Sequence, residues 1–491
     1  MQTVSCLSCG APVEFRSHAA VMAVCGYCNA TLLKDAETVR YIGKMSAVLE
    51  DYSPIQINTS GVFGTRSFTV VGRIQLRYEQ GMWNEWYLLF DDGSNGWLGD
   101  SSGLYTITIE REASKALPAF DEIVPGQVYA MGGKRYMASE KRDARCIGGQ
   151  GELPFKVEQG WEARVADFRL GSNFVTLDYS DGEQPTLYTG LAVTLAEMKP
   201  QLLREDEAIK AAAGRYRGKP DALDCPQCGS SIKFIPGVTA NLVCPACAAQ
   251  LDAAGPEATV LAAGSAVDKA LTTLQLGAKA TIQGSEWTVI GAMIRVDEEE
   301  SEWTEYLVYN TRNSFFWLVE SDDGWYRADV QHNWPEWDSL QDSTAVLDKA
   351  TYQALYDYDA TVRWAAGAFN WRVAAGDVVH VYEFEHGQAS LAAELTPNEL
   401  TWSRSTPVAW DQLKTWFGAG LLGAPTATPS SSSSSIQTKF LWLILGLNAI
   451  PLLFSFSSSF LYVVIALIAI YFPASYFKNP PLKDAPPEGK K

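Results

Sequence analysis

Short runs along the chain alternate apolar and polar residues and are cut by turn sequences. "SFTVVGRIQLRY" (67–78), "EWYLLF" (85–90), "YTITIE" (105–110), "GQVYAMGGKRYM" (126–137) and "NFVTLDY" (173–179) carry this period of two and are rich in β-branched and aromatic residues. That pattern marks half-buried strands. "DDGSNG" (91–96) and "SDDG" (321–324) separate the runs as turns. Many short strands with regular turns predict a small β-barrel or sandwich. Helical signals are few. Residues 201–216 are rich in Ala, Glu, Lys and Arg, and Gly218 and Pro220 follow, which predicts a connecting helix.

The strand pattern occurs twice. "RSFTVVGRI" (66–74) matches "SEWTVIGAM" (285–293) at an offset of 219, and "WNEWYLLF" (83–90) matches "WTEYLVYN" (303–310) at 220. "GWLG" (96–99) matches "FWLV" (316–319), and "GWEARVADFRLG" (160–171) resembles "GDVVHVYEFEHG" (376–387), now at 216. Small drifts of this kind come from loop insertions and deletions. The pattern therefore predicts two copies of one unit.

Each copy begins with cysteines. Cys6, Cys9, Cys25 and Cys28 form C-x2-C-x15-C-x2-C, and Cys225, Cys228, Cys244 and Cys247 repeat it. This is four-cysteine zinc-ribbon spacing. Zinc takes four thiolates in a tetrahedron, and a set with no open position is structural, not catalytic. Gly10 and Gly229 suit the knuckle turns. A redox pair or disulfide framework is the alternative, but no βαβ pattern accompanies these pairs. His18 lies in the first ribbon loop, beside a site already filled by four sulfurs.

The tryptophans admit two readings. Trp83, Trp86 and Trp97 match Trp303, Tyr306 and Trp317, with Glu85 and Glu305 inside the matching W-x-E. One reading is core packing, the usual role of matched strand aromatics. The other is a ligand face in which Trp83, Glu85, Trp303 and Glu305 receive a cation. No catalytic motif accompanies them: the chain contains no G-x-S-x-G, P-loop or H-E-x-x-H sequence. His332, His380 and His386 stand outside metal-ligand patterns, Cys146 stands alone, and "DEEESE" (297–302) reads as a solvated hairpin loop. The expectation is a non-enzyme.

The last part of the chain changes character. "TATPSSSSSS" reads as a flexible linker. "FLWLILGLNAIPLLFSF" (440–456) and "FLYVVIALIAIYFPASYF" (460–477) carry no charge and approach membrane-spanning length. Lys439, Lys478, Lys483, Lys490 and Lys491 flank the outer ends. The positive-inside rule then predicts a hairpin with both outer ends cytoplasmic; one long kinked helix is the alternative. Cytosolic residence also suits reduced, metal-binding thiols. The net charge of −18 argues against a nucleic-acid partner.

The W-x-E-W/Y strands at 83–87 and 303–306, "GELP" at 151–154, and "FNWRVAAGDVVHVYEFE…AAELTPNELTWS" across 369–403 resemble the bacterial domain-of-unknown-function 4178 proteins. Unit one departs from the pattern, with "DYSDGEQPTLYTG" in place of "ELTPNELTWS". The resemblance implies membrane-associated work, such as envelope-stress response, and no established activity.

These readings predict a mainly β chain with a zinc ribbon at 1–35, a β-domain at 36–200, a linker helix at 201–220, a second ribbon at 221–254 and a second β-domain at 255–420. A Ser/Pro-rich linker (421–438), a transmembrane hairpin (439–478) and a cytoplasmic tail (479–491) follow. The expected function is a scaffold or adaptor at the cytoplasmic face of the inner membrane. It would hold two structural zinc ions, contact the bilayer through 439–478 and bind a protein partner. The alternative is a sensor of a cationic, polyamine-like small molecule.

Overall fold

The computed structural model describes residues 2–17, 19–35, 38–45, 53–101, 103–113, 117–157, 160–205, 222–233, 241–252, 259–262, 272–310, 312–337, 339–340 and 342–421. All fall within one compact unit, Met1–Ala424. The expected Ser/Pro-rich linker beyond 421, the transmembrane hairpin, the tail and His18 lie outside the described residues. Among the described residues no helix is long and apolar enough to cross a membrane.

The fold is mainly β, with two tandem sheet units. The first unit contains β1 (Arg66–Arg77), β2 (Met82–Phe90), β3 (Asn95–Ser101), β4 (Leu104–Arg111), β5 (Lys134–Leu153), β6 (Glu162–Leu170), β7 (Asn173–Asp178) and β8 (Thr186–Val193). They pair antiparallel in the order β1-β2-β3-β4-β8-β7-β6-β5, and β5 returns to β1, closing a ring of eight strands. The second unit repeats the ring with β9 (Ser285–Val296), β10 (Glu302–Asn310), β11 (Ser314–Ser321), β12 (Gly324–Val330), β13 (Ala350–Phe369), β14 (Val378–His386), β15 (Ala389–Leu395) and β16 (Leu400–Pro407). Of the two architectures the strand pattern allowed, this is the barrel.

Closure depends on the long strands β5 and β13. Residues 137–145 of β5 pair with β6, and residues 146–151, with a bulge between Cys146 and Gly148, pair with β1. Closure also needs glycine. Gly72 on β1 passes so close to the Glu152 carbonyl that a side chain would overlap it. Gly151 has φ of +68° beside the Val71 carbonyl, and Gly367 repeats this at +98° beside Ile290. A residue with a Cβ is strained there.

The pleat sorts side chains between two faces. On β2, Trp86, Leu88 and Phe90 join a cluster with Ile55, Ile107 and Met198, whereas Trp83 turns the other way to pack with Ile74, Leu76 and Ala163. Each four-cysteine knuckle is tied to its barrel by strand pairing: Met22–Val24 with the end of β5, and Asn241–Val243 with the end of β13. Residues 201–205, expected to begin a helix, do not; Gln201 bridges Ser60 instead. The rest of that expected helix lies largely outside the described residues. The single α-helix described, α1 (Trp410–Phe417), packs Leu413 and Phe417 into the second barrel.

Candidate ligand cavity and metal centres

Each cysteine set converges. The Sγ atoms within each group lie within 4.8 Å of one another. Cys6 and Cys28 are 3.6 Å apart, Cys9 and Cys25 3.7 Å, and Cys225–Cys247 and Cys228–Cys244 3.8 Å each. A disulfide would bring sulfurs to about 2 Å. A tetrahedron with metal–sulfur bonds of about 2.3 Å has edges of about 3.8 Å. The spacing therefore fits a thiolate-bound metal ion in each group.

The first knuckle is clamped from below. The Arg16 and Ser17 backbone N–H groups donate to Glu152 Oε2 at 2.7 and 2.8 Å, and Arg16 Nε donates to Oε1 at 3.0 Å. Glu152 belongs to the "GELP" stretch and is buried. The register places Ala368 at this point of the second unit.

The interior of the first barrel holds a cavity of about 160 Å³, of the order that takes a benzene-sized molecule. Trp83, Trp97, Phe155, Trp161, Phe174 and Tyr188 supply aromatic wall. Six carboxyl groups line it, from Glu85, Asp100, Glu140, Asp167, Asp178 and Glu399, against two guanidinium groups, Arg142 and Arg169. Arg142 is engaged by Glu140 and lies 3.9 Å from Glu399. It also rests on the rings of Tyr78 and Trp83 at 4.4 and 5.3 Å. Arg169 lies over Phe174 at 4.6 Å, and its Nε is buried without a hydrogen-bond partner.

Part of the wall comes from the other unit. Val330, Gln331, Trp334 and residues 399–402 face the same cavity. The Lys141 N–H donates to the Asn398 carbonyl at 3.0 Å, and Glu140 bridges Glu399. The "ELTPNELTWS" segment of the second copy thus serves the first copy's cavity.

Trp83 and Glu85 both line the cavity, and Trp83 Nε1–H donates to Glu85 Oε1 at 2.8 Å. Trp83 is also a core residue, 6% exposed. Burial pushes Glu85 up to about 7, aided by the nearby Asp178 charge. Burial raises Asp178 as well, and it pushes Glu399 up to about 7. Trp86, by contrast, is buried in the outer cluster, as is Tyr306 in the second unit.

In the second barrel Trp303 Nε1–H donates to Glu305 at 2.7 Å, the same local pair. Here, however, Arg295 Nη1 stands 3.6 Å from Glu305 and 3.1 Å from Glu394. Burial opposes the Arg295 charge, but these two carboxylates outweigh it and raise its pKa. Burial also raises Glu305, with Arg295 pulling against it. Trp303 packs edge-on against Tyr358 at 6.0 Å. The two W-x-E pairs therefore sit at matching places with different neighbours.

Register defines those neighbours. Leu76 is opposite Trp83, and Arg295 is opposite Trp303. Asp178 is opposite Val165, and Glu394 is opposite Val381. Asp178 therefore keeps a carboxyl in unit one, where "DYSDGEQPTLYTG" replaces the "ELTPNELTWS" ending. Sequence reading missed it because Asp178 closes a strand beside a turn and looks like turn chemistry. His380 is paired with Asp359 at 2.6 Å away from these groups. Cys146 is buried, and burial pushes its thiol up to about 11.

A family model described as a domain of unknown function, DUF4178, matches residues 56–194 and 275–409, one copy on each barrel. No curated protein and no solved structure matches the chain.

Proposed function

We propose, from the premise that the chain belongs to the DUF4178 family through two tandem copies, that it is a non-catalytic binding protein held at a membrane. Its working site is the interior of the first barrel. The observation that carries this reading is the cavity itself: an aromatic wall, six carboxyls and two arginines enclosed by one barrel and finished by residues of the other. A concavity walled by aromatic rings, with charged side chains converging in it, suits a small charged molecule. Binding without catalysis is supported by Cys146, whose raised pKa leaves little thiolate.

The two cysteine groups hold zinc as structural staples in this reading, supported by all-thiolate ligation and sulfur spacing. The charge-free segments within 439–478 anchor the chain, with the barrels on the cytoplasmic side, supported by the flanking lysines. Tethering concentrates the site near the membrane.

A protein-scaffold role has its own support. Leu7 and Tyr27, inside the two turns of the first knuckle, are 61% and 80% exposed, and paired exposed apolar residues suit a protein contact.

Native mass spectrometry tests the ligand-site reading. The full chain, extracted in mild detergent from the cells that produce it, should carry a small-molecule mass increment. Ala163→Phe, which fills the cavity, should lose it. Equal masses for the parent and a folded variant would overturn the reading.

A further inference from the structure

The two barrels carry the same pair of carboxyl positions with different neighbours, Leu76 against Arg295 and Arg142 against Tyr358. On the second barrel Glu305 and Glu394 bracket the Arg295 guanidinium. On the first, Glu85 and Asp178 occupy the matching places, and the residue opposite the tryptophan is Leu76. Among the described residues Glu85 receives a hydrogen bond only from Trp83, and Asp178 only from Ser180, through its backbone N–H at 2.9 Å and its hydroxyl. Among those residues neither has an ion pair.

We propose that the first barrel binds an organic cation, a guanidinium or primary ammonium on a short apolar stem, with its charged head where Arg295 stands in the second barrel. The second barrel is then the same device occupied by its own side chain. This inference rests on the ligand-site reading above and names its ligand class.

Three observations converge on it. The cavity lies in the barrel that lacks the arginine, and Glu85 and Asp178 both line it. The second barrel shows what the same carboxyl geometry does when a cation is present: it clasps a guanidinium. The wall beside Glu85 is apolar where the Arg295 stem would run, with Ile74, Leu76, Trp97 and Phe155. A planar guanidinium suits two carboxylates because its N–H groups fork. Aromatic faces add attraction for a cation.

The arginines already in the cavity do not take this role. Arg142 is held by Glu140 and Glu399, and it stands at the Tyr358 position, not the Arg295 position. Arg169 faces Phe174, Trp334 and the His332 carbonyl.

Protons give the site a signature. Glu85 is faced by Trp83 on its own strand, Asp100 from β3, Arg142 from β5, Asp178 from β7 and Tyr188 from β8. Burial of the two carboxyls favours retention of a proton near neutral pH, with Arg142 pulling against it at Glu85. A cation favours their ionised forms, so binding near pH 6 should release about one proton and binding near pH 8.5 few.

Calorimetry on the dialysed full chain in detergent tests the proposal. The probes are n-butylguanidinium, n-butylammonium, neutral n-butylurea and anionic butyrate. The cations should bind once per chain, with n-butylurea at least tenfold weaker and butyrate silent. Glu85→Gln should weaken the cations about tenfold or more and leave n-butylurea unchanged. Leu76→Arg should abolish cation binding by supplying the missing guanidinium; a melting temperature no lower than the parent's shows that it folds. If n-butylurea binds as tightly as the cations, or Glu85→Gln leaves cation binding unchanged, the cation assignment falls and the cavity still binds. If no probe of any charge binds, both fall.

Discussion

Glu85→Gln should stabilise the ligand-free protein, and the gain should grow with pH. Burial places the Glu85 carboxyl at about 7, against an ordinary value of 4.5. At 1.36 kcal/mol per pH unit, keeping it ionised in the folded state costs at most about 3 kcal/mol. The raised value fixes the sign. Below about pH 4.5 the carboxyl is protonated in both folded and unfolded chains and costs nothing. Between about 4.5 and 7 the unfolded chain releases its proton first, so stability falls as pH rises. Above 7 the full cost is present. Glutamine carries no charge and keeps an oxygen for the Trp83 N–H, so its advantage should approach 3 kcal/mol at pH 8 and nearly vanish at pH 4.5. For a unit of roughly 200 residues that is about 6–12 °C in melting temperature at pH 8. Glu305→Gln should do the opposite. It removes one of the two carboxylates holding the buried Arg295 and should destabilise the protein. Thermal melts of parent and both variants, as full chains in detergent at pH 4.5, 6 and 8, measure this. The reasoning is refuted if the two substitutions shift melting the same way, or if the Glu85→Gln gain does not change with pH.

Other outcomes follow from the clamp, the metal groups and the crossing glycine. Glu152→Ala removes three hydrogen bonds from a buried carboxylate and should cost about 2–4 kcal/mol, read as faster hydrogen exchange at residues 12–24 with smaller change elsewhere. Metal analysis of the full chain should return two ions, falling to one in Cys9→Ser and in Cys228→Ser. A strong chelator should expose the thiols of both knuckles to a thiol reagent while Cys146 stays protected. Gly72→Ala forces a methyl group onto the Glu152 carbonyl and should cost more than about 3 kcal/mol or prevent folding, read by the yield of folded protein.

What could be read in advance was what is local. The cysteine spacing holds four ligands within two short turns, so a count of residues suffices. Strand alternation is local too, and it marks β1, β2, β4 and β7 directly. Barrel closure is not: it brings Cys146 opposite Leu76, and no periodicity within β5 announces that partner. The Leu76/Arg295 difference falls two residues past the matched runs 66–74 and 285–293, and it has no meaning until register puts each residue opposite a tryptophan. Glu399 was hidden more deeply, because it acts across copies, in the cavity of the unit to which it does not belong. Trp83 and Glu85 were legible as a pair, but the choice between packing and ligand face was not. Trp83 packs with Ile74, Leu76 and Ala163 and also lines the cavity.

The central claim is that the first barrel lacks the cation that Arg295 supplies in the second, and that a ligand takes its place. The carboxyl carbon resonance of Glu85, assigned by its loss in Glu85→Gln, tests it most directly. In the dialysed full chain it should titrate near pH 7. With saturating n-butylguanidinium, and equally in Leu76→Arg, its midpoint should fall toward the ordinary value of about 4.5. A midpoint already near 4.5 without ligand, or one near 7 that neither the probe nor Leu76→Arg moves, would contradict the account.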